Sequence, residues 1–397
     1  MQIAARLSLK KGKEKPLLQR HHWIYSGAIS QLPKLPAGSL VEVTSHGGEK
    51  LGLALFNPGH SIAAHMIAFG ETSVEDSLRR SITSALSLRK GLFDPAHTNA
   101  FRLLNAEGDG IPGLIVDSYA NVLVIQLSHP GLEPLREAIV ALLIELVSPC
   151  AIYEKSTSFL RKKGGMEEKR LHLYGEEIPT VEILENGLRF SVDLLEGQKT
   201  GLFLDQREMR SLVRSLAKDR KVLNCFAYTG GFSLAALAGG ASHVDSVEIS
   251  AKCESRLAEN LRLNDLSHHQ FHCTDVFDYL KTCSWDYDLI ILDPPAFVKK
   301  RDDVPAAFRA YKEMNRHVLS KMKPNSLLLT CSCSYHIEEA LLQNILFRAA
   351  HEANRKVRIL SRHRQAFDHP ISIFHPESNY LKSFLLRGEN DHVNAVL

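Results

Sequence analysis

From Lys221 onward the chain alternates short apolar, strand-like runs with helix-like stretches, and this rhythm limits its fold more than any other feature. The strand-like runs are Val222 to Phe226, Val244 to Ile249, Gln270 to Cys273, Leu289 to Leu292, Ser326 to Thr330 and Val357 to Leu360. Such alternation predicts a parallel, doubly wound sheet with helices on both faces. Ligands of such sheets sit beyond the carboxyl ends of the strands, so the chemistry is expected in the loops that follow these runs.

At 397 residues the chain exceeds what a single core usually serves. Ahead of the sheet, short alternating runs at Leu40 to Val43, Leu51 to Phe56 and Ile62 to Ile67 predict a small β-rich module, residues 1–73. A helix over Val74 to Lys90 leads to a second, α+β module, residues 74–180. It contains strands at Leu114 to Asp117, Val122 to Leu127 and Ala151 to Lys155 and a helix over Leu135 to Val147. A hairpin across Glu182 to Asp193, turning at Glu185-Asn186-Gly187, opens the last module, residues 181–397.

The composition, 44% hydrophobic and 23% charged, is that of a soluble globular protein. Lys10, Lys11, Lys13 and Lys15 are followed by no apolar run or cleavage signature, and the longest uncharged window, Val222 to Val244, is broken by glycines, Asn224 and His243. The expectation is a cytoplasmic protein without a membrane partner. Seven cysteines without paired-ligand spacing suit reduced thiols, and no metal site is expected. A net charge of +3 says little, but basic groups gather at Lys10 to Lys15, at Arg161-Lys162-Lys163, at Lys299-Lys300-Arg301 and around Arg309, Lys312 and Arg316. The third cluster directly follows Asp293-Pro294-Pro295-Ala296-Phe297, where a phosphate backbone would pass if a nucleotide entered there.

The loop after the first strand carries Thr229-Gly230-Gly231 behind Asn224-Cys225-Phe226, a turn that lets backbone approach a ligand closely. Glu248 ends the second strand, placed to accept both ribose hydroxyls of a nucleoside. The pyrophosphate-binding pattern Gly-x-Gly-x-x-Gly is absent, which favours adenosine without phosphates, as in S-adenosylmethionine, over a dinucleotide. Asp275 suits the adenine amino group, or else caps the helix that begins at Val276. Pro294 and Pro295 stiffen the loop after Asp293, whose carboxylate can meet a base edge, and Phe297 offers a ring for stacking. The fifth strand ends in Thr330-Cys331-Ser332-Cys333-Ser334. Alternation puts both thiols on one face and does not choose between them. A thiolate adding to C6 of a pyrimidine makes C5 nucleophilic toward a methyl donor, and loss of the C5 proton then frees the enzyme.

With these residues assembled, the chain resembles the RlmI-type bacterial 23S rRNA cytosine-5 methyltransferases over nearly its full length. The likeness is carried by His22-Trp23-Ile24-Tyr25-Ser26-Gly27, Phe101-Arg102-Leu103, Lys199 through Arg207, Asn224 through Gly231, Asp293 through Phe297, Ser332-Cys333-Ser334 and Asp368-His369-Pro370. The resemblance implies a multidomain α/β protein: a PUA-like RNA-binding domain, a middle EEHEE domain and a Rossmann-like class I methyltransferase sheet. It implies Cys333 as nucleophile with Asp293 beside it. Residue reading and resemblance together lead to the expectation that S-adenosylmethionine is held by Asn224, Phe226, Thr229, Gly230, Glu248, Asp275, Gln206 and Arg207, and that RNA is met by Pro294, Pro295, Phe297, Arg161, Lys162, Lys163, Lys299 and Lys300. Cys331 departs from the family pattern. The implied partner is 23S rRNA or a large-subunit assembly intermediate, and homodimerisation is a family-level expectation. Methylation of a purine nitrogen, and a non-catalytic RNA-binding or ribosome-assembly factor, are the rival readings.

Overall fold

The computed structural model describes residues 2–157, 161, 165–298 and 301–389. The chain forms two compact units. One comprises Met1–Gly187, Val192–Leu204 and Phe367–Ser378; the other comprises Leu188–Ser191, Asp205–Ala366 and Asn379–Leu397.

In the first unit β1 (Ala5–Ser8), β2 (Trp23–Tyr25), β3 (Leu40–Thr44), β4 (Lys50–Phe56) and β5 (Ile62–Phe69) form a sheet in the order β1-β3-β4-β5-β2. Helix α1 (Val74–Leu92) follows, started by Ser73, whose hydroxyl accepts from the Asp76 amide at 3.1 Å. A second sheet, ordered β10-β9-β8-β7-β6, is built from β6 (Ala100–Asn105), β7 (Leu114–Tyr119), β8 (Val122–Leu127), β9 (Ala151–Ser156) and β10 (Lys169–Gly175). Helix α2 (Arg136–Val147) makes the crossover between the parallel pair β8 and β9. Leu53 and Leu55 of β4 and Ile67 of β5 share a core with Ile82 of α1, Ile125 of β8 and Ile139 of α2, so the β-rich and α+β modules pack as one body. The segment carrying Asp368-His369-Pro370 is tied into this body. The Asp368 carboxylate accepts from the Arg102 amide at 2.7 Å, its carbonyl accepts from Arg89 at 2.7 Å, and Asn105 donates to the Pro370 carbonyl at 3.0 Å.

The hairpin of β11 (Thr180–Glu185) and β12 (Leu188–Asp193) turns through Asn186 and Gly187 at φ +50° and +80°, the conformation that Asn-Gly supplies most readily.

Among the described residues of the second unit, seven strands form one sheet: β13 (Lys221–Cys225), β14 (His243–Glu248), β15 (His269–Cys273), β16 (Leu289–Leu292), β17 (Leu327–Ser332), β18 (Val357–His363) and β19 (Lys382–Gly388), in the order β15-β14-β13-β16-β17-β19-β18. Its helices are α3 (Arg207–Leu216), α4 (Gly231–Ala238), α5 (Lys252–Leu263), α6 (Val276–Thr282), α7 (Val304–Lys321) and α8 (Glu339–Glu352). The continuous apolar run of β16 is explained by burial on both faces. Ile290 and Leu292 pack with Leu280, Tyr311 and Val318 of α6 and α7, whereas Leu289 and Ile291 pack with Met209 and Val213 of α3 and Ala236 of α4.

The doubly wound sheet is as expected, with one addition. Strand β19 lies antiparallel between β17 and β18, pairing Leu327 with Arg387 and Ser332 with Lys382. Phe384 and Leu386 enter one core and Leu385 the other, which fixes this strand inside the sheet. No helix among the described residues is long and apolar enough to cross a membrane.

Candidate active site

The loop leaving β13 holds Phe226 at φ +61°, Tyr228 at +48° and Gly230 at +83°. For residues with a side chain, such a conformation costs roughly 1–3 kcal/mol and persists only where the surroundings enforce it. Here the Ala227 amide donates to the Val247 carbonyl at 3.1 Å, Tyr228 to Glu248 Oε2 at 3.1 Å, and Asn260 Nδ2 to the Thr229 carbonyl at 3.1 Å. A Cβ on Gly230 would meet Leu257 Cγ at 2.6 Å, so the position has neither the space nor the φ for a side chain. Glu248, half-buried at the end of β14, accepts one backbone amide on each oxygen, from Tyr228 and from Ser250 at 3.0 Å. Each oxygen keeps further acceptor capacity for a ligand hydroxyl.

Asp275 is the N-cap of α6, its Oδ1 accepting from Phe277 at 2.8 Å and Asp278 at 3.3 Å. Asn224 is 1% exposed and turned into the layer between sheet and α4. Its amide donates to Ser233 at 2.8 Å, which bonds Ser246 in turn at 2.6 Å. Asn224 thus lies beneath the loop that Phe226, Thr229 and Gly230 form, rather than on it.

After β16, Asp293 is half-buried and its Oδ1 accepts from Gln206 Nε2 at 2.9 Å. Gln206 and the neighbouring Arg207 are both buried at the start of α3. Pro294 is buried and Pro295 exposed. The Phe297 ring packs on Tyr311 with centroids 4.8 Å apart and the two planes tilted by 56°.

The two thiols that alternation leaves equivalent differ in surroundings. Cys331 is fully buried among Leu329, Leu385 and Phe232, and burial, reinforced by the negative charge of Asp293, pushes its thiol well above the usual range. Cys333 is half-buried, its Sγ 3.9 Å from the carbonyl of Pro294. Beside it the Tyr311 hydroxyl meets Ser332 at 3.1 Å and Ser334 at 3.2 Å, and burial pushes it up to about 12. Lys382 of β19 donates to the carbonyls of Ser334 and Tyr380, each at 2.9 Å. Sequence reading passes over both Tyr311 and Lys382. The hint in the chain is an alternating run, Lys382 to Leu386, that opens with a lysine.

Arg161, expected on RNA, is corrected to an internal role. Its guanidinium is 1% exposed, paired with Glu133 Oε1 at 2.7 Å and bonded to the Leu127 carbonyl at 3.0 Å, so burial withdraws it from any phosphate. Lys162, Lys163, Lys299 and Lys300 lie outside the described residues. Lys10, Lys11, Lys13 and Lys15 are exposed. In the first unit His21, His375 and Glu377 come together. The Trp23 amide donates to His21 Nδ1 at 3.2 Å, which puts the ring proton on Nε2, toward Glu377 Oε1 at 3.3 Å.

A family model described as S-adenosylmethionine-dependent methyltransferase matches residues 115–370, and one described as a PUA-like domain matches residues 7–69. The sheet order agrees, and so does the cradle at Gly230: the class is an S-adenosylmethionine-dependent methyltransferase. A candidate SAM-dependent methyltransferase from Streptococcus mutans superposes with a TM-score of 0.83 at 26% identity, covering 96% of this chain and 100% of that one. A candidate methyltransferase solved in complex with SAH superposes at 0.82 and 26% identity, with 96% and 100% covered. Ribosomal RNA large subunit methyltransferase I of Aliivibrio fischeri (strain MJ11) is 38% identical over 388 residues, 96% of this chain and 98% of that protein. The chain belongs to the ribosomal RNA large subunit methyltransferase I family.

Proposed function

We propose that the protein methylates C5 of a cytosine in 23S rRNA, with Cys333 as the nucleophile. One observation carries the reading: of the two thiols at the end of β17, Cys331 is sealed in the core, while Cys333 reaches the carbonyl of the Asp-Pro-Pro turn. In this reading the Cys333 thiolate adds to C6, forming the S–C6 bond and placing the electron pair at C5. S-adenosylmethionine, when bound, supplies the methyl group that C5 acquires. Loss of the C5 proton then returns electrons to the ring and expels the thiolate.

The Thr229-Gly230 backbone, Phe226, Glu248 and Asp275 would hold the cofactor, with Gln206 and Arg207 nearby and Asn224 supporting the loop from below. Asp293, oriented by Gln206, would accept from the cytosine amino group. Drawing a base out of structured RNA costs a few kcal/mol. Phosphate contacts from the exposed Lys10, Lys11, Lys13 and Lys15 would offset part of it. The substrate, naked 23S rRNA or a large-subunit assembly intermediate, would place the protein in the cytoplasm.

The test is incubation with unmodified 23S rRNA and labelled S-adenosylmethionine, digestion to nucleosides and mass spectrometry, beside a Cys333→Ala control. 5-Methylcytosine that disappears in the control supports the reading. A methylated purine that survives it overturns the reading.

A further inference from the structure

Lys382 is 3% exposed, and its ammonium donates to two carbonyl oxygens, those of Ser334 and Tyr380. No carboxylate among the described residues forms an ion pair with it. A buried cation without an anion is unfavourable, and two carbonyl dipoles compensate it only in part.

The strand register pairs Lys382 with Ser332, and the ammonium binds the carbonyl of Ser334. Cys333 is the residue between these two contacts. The other ionisable groups around the thiol cannot serve as the missing anion. Tyr311 on α7 stays protonated near neutrality because burial pushes it up to about 12. Cys331 is held protonated by burial first and by Asp293 second. Asp293, which accepts from Gln206, is not among the groups whose charge acts on Lys382. Glu338, ahead of α8, is exposed to water and acts on Lys382 only from a distance.

We propose that Lys382 is the counter-cation of the Cys333 thiolate, a positioning residue that keeps the nucleophile in its reactive form. This rests on the reading of Cys333 given above. When the thiol ionises, the S–H bond breaks, the proton leaves to water and the electron pair stays on sulfur, within the electrostatic reach of the ammonium. The same pair then forms the S–C6 bond, and on release it returns to sulfur, where Lys382 stabilises the departing thiolate. The mutual dependence shows on the lysine as well: burial draws it down to about 8, while Cys333 and Glu338 act in the opposite direction.

The test follows the alkylation of Cys333 by iodoacetamide against pH in the full-length protein, read by mass spectrometry of its peptide, with the exposed Cys273 as internal reference. An opposite charge at short range moves a pKa by about 1–3 units. The alkylation midpoint of Cys333 should therefore rise by at least about one pH unit in Lys382→Met, and Lys382→Arg should restore it. Circular dichroism checks the fold, and Lys382→Gln replaces the methionine variant if that one fails to fold. A midpoint unchanged in the folded variant overturns the proposal. Because the readout needs no RNA, it separates from the Cys333→Ala turnover experiment: a shifted midpoint with methylation surviving Cys333→Ala would remove the nucleophile assignment and leave the ion pair standing.

Discussion

The side-chain amide of Gln206 donates to Asp293 Oδ1 across 2.9 Å, joining the start of α3 to the loop that follows β16. A carboxylate offered to a base must be aimed before the base arrives, and this bond fixes one of its oxygens. Hydrogen bonds to charged groups contribute about 1.5–3 kcal/mol. Gln206→Leu should therefore lower kcat/KM for RNA by roughly 10-fold to 100-fold at saturating S-adenosylmethionine, measured by methyl incorporation.

Cys331 differs from its neighbour by burial, and the consequence is asymmetric. Cys331→Ala should keep turnover near wild type while costing about 1 kcal/mol of stability through the small void it leaves, as read by urea denaturation. Loss of methylation in that variant with the fold intact would transfer the nucleophilic role to it.

Gly230→Ala combines a positive φ with a Cβ 2.6 Å from Leu257 Cγ. It should destabilise the methyltransferase unit by about 1–3 kcal/mol and weaken cofactor binding, seen by denaturation and by calorimetric titration with S-adenosylhomocysteine.

His129 is buried against His65, ring centroids 4.0 Å apart, with Nε2 donating to the Pro112 carbonyl at 2.9 Å. Burial lowers His129 to about 4 and lowers His65 as well. The folded value lies below the unfolded one, so the contribution is present above about pH 6.5 and is lost as pH falls toward 4, where only the unfolded chain takes up the proton readily. For His129 this is on the order of 3 kcal/mol. Urea titrations followed by Trp23 fluorescence in a Trp285→Phe background should show the loss, and His129→Gln should flatten it.

The features legible in the chain are those written locally. Leu289 to Leu292 is apolar at every position because both faces are covered, and Gly230, Asp293 and Cys333 sit in runs whose turn chemistry or strand ending marks them. Arg161 was misread because its partner, Glu133, lies 28 positions upstream: within Arg161-Lys162-Lys163 it looks like a surface cation. Asn224 reads as a cofactor-binding residue at a strand end, although Ser233 and Ser246 draw its side chain into the layer beneath the loop. Asp368 has no local reason to matter until Arg89 and Arg102 are brought to it by the fold. Lys382 was illegible for the same cause, since only the antiparallel pairing of β19 puts it beside β17.

That pairing also sets an order in time. Of the seven strands, β19 is made last, yet it lies between β17 and the earlier-made β18. Until it arrives, β17 is an open edge, and the Ser334 carbonyl has no ammonium to bind. A nascent chain can therefore assemble the β13 to β16 side of the sheet early, but the Ser334 carbonyl gains its ammonium only when synthesis has passed Lys382. Competence toward ribosomal RNA would then wait on the synthesis of β19, whatever the state of the strands made before it.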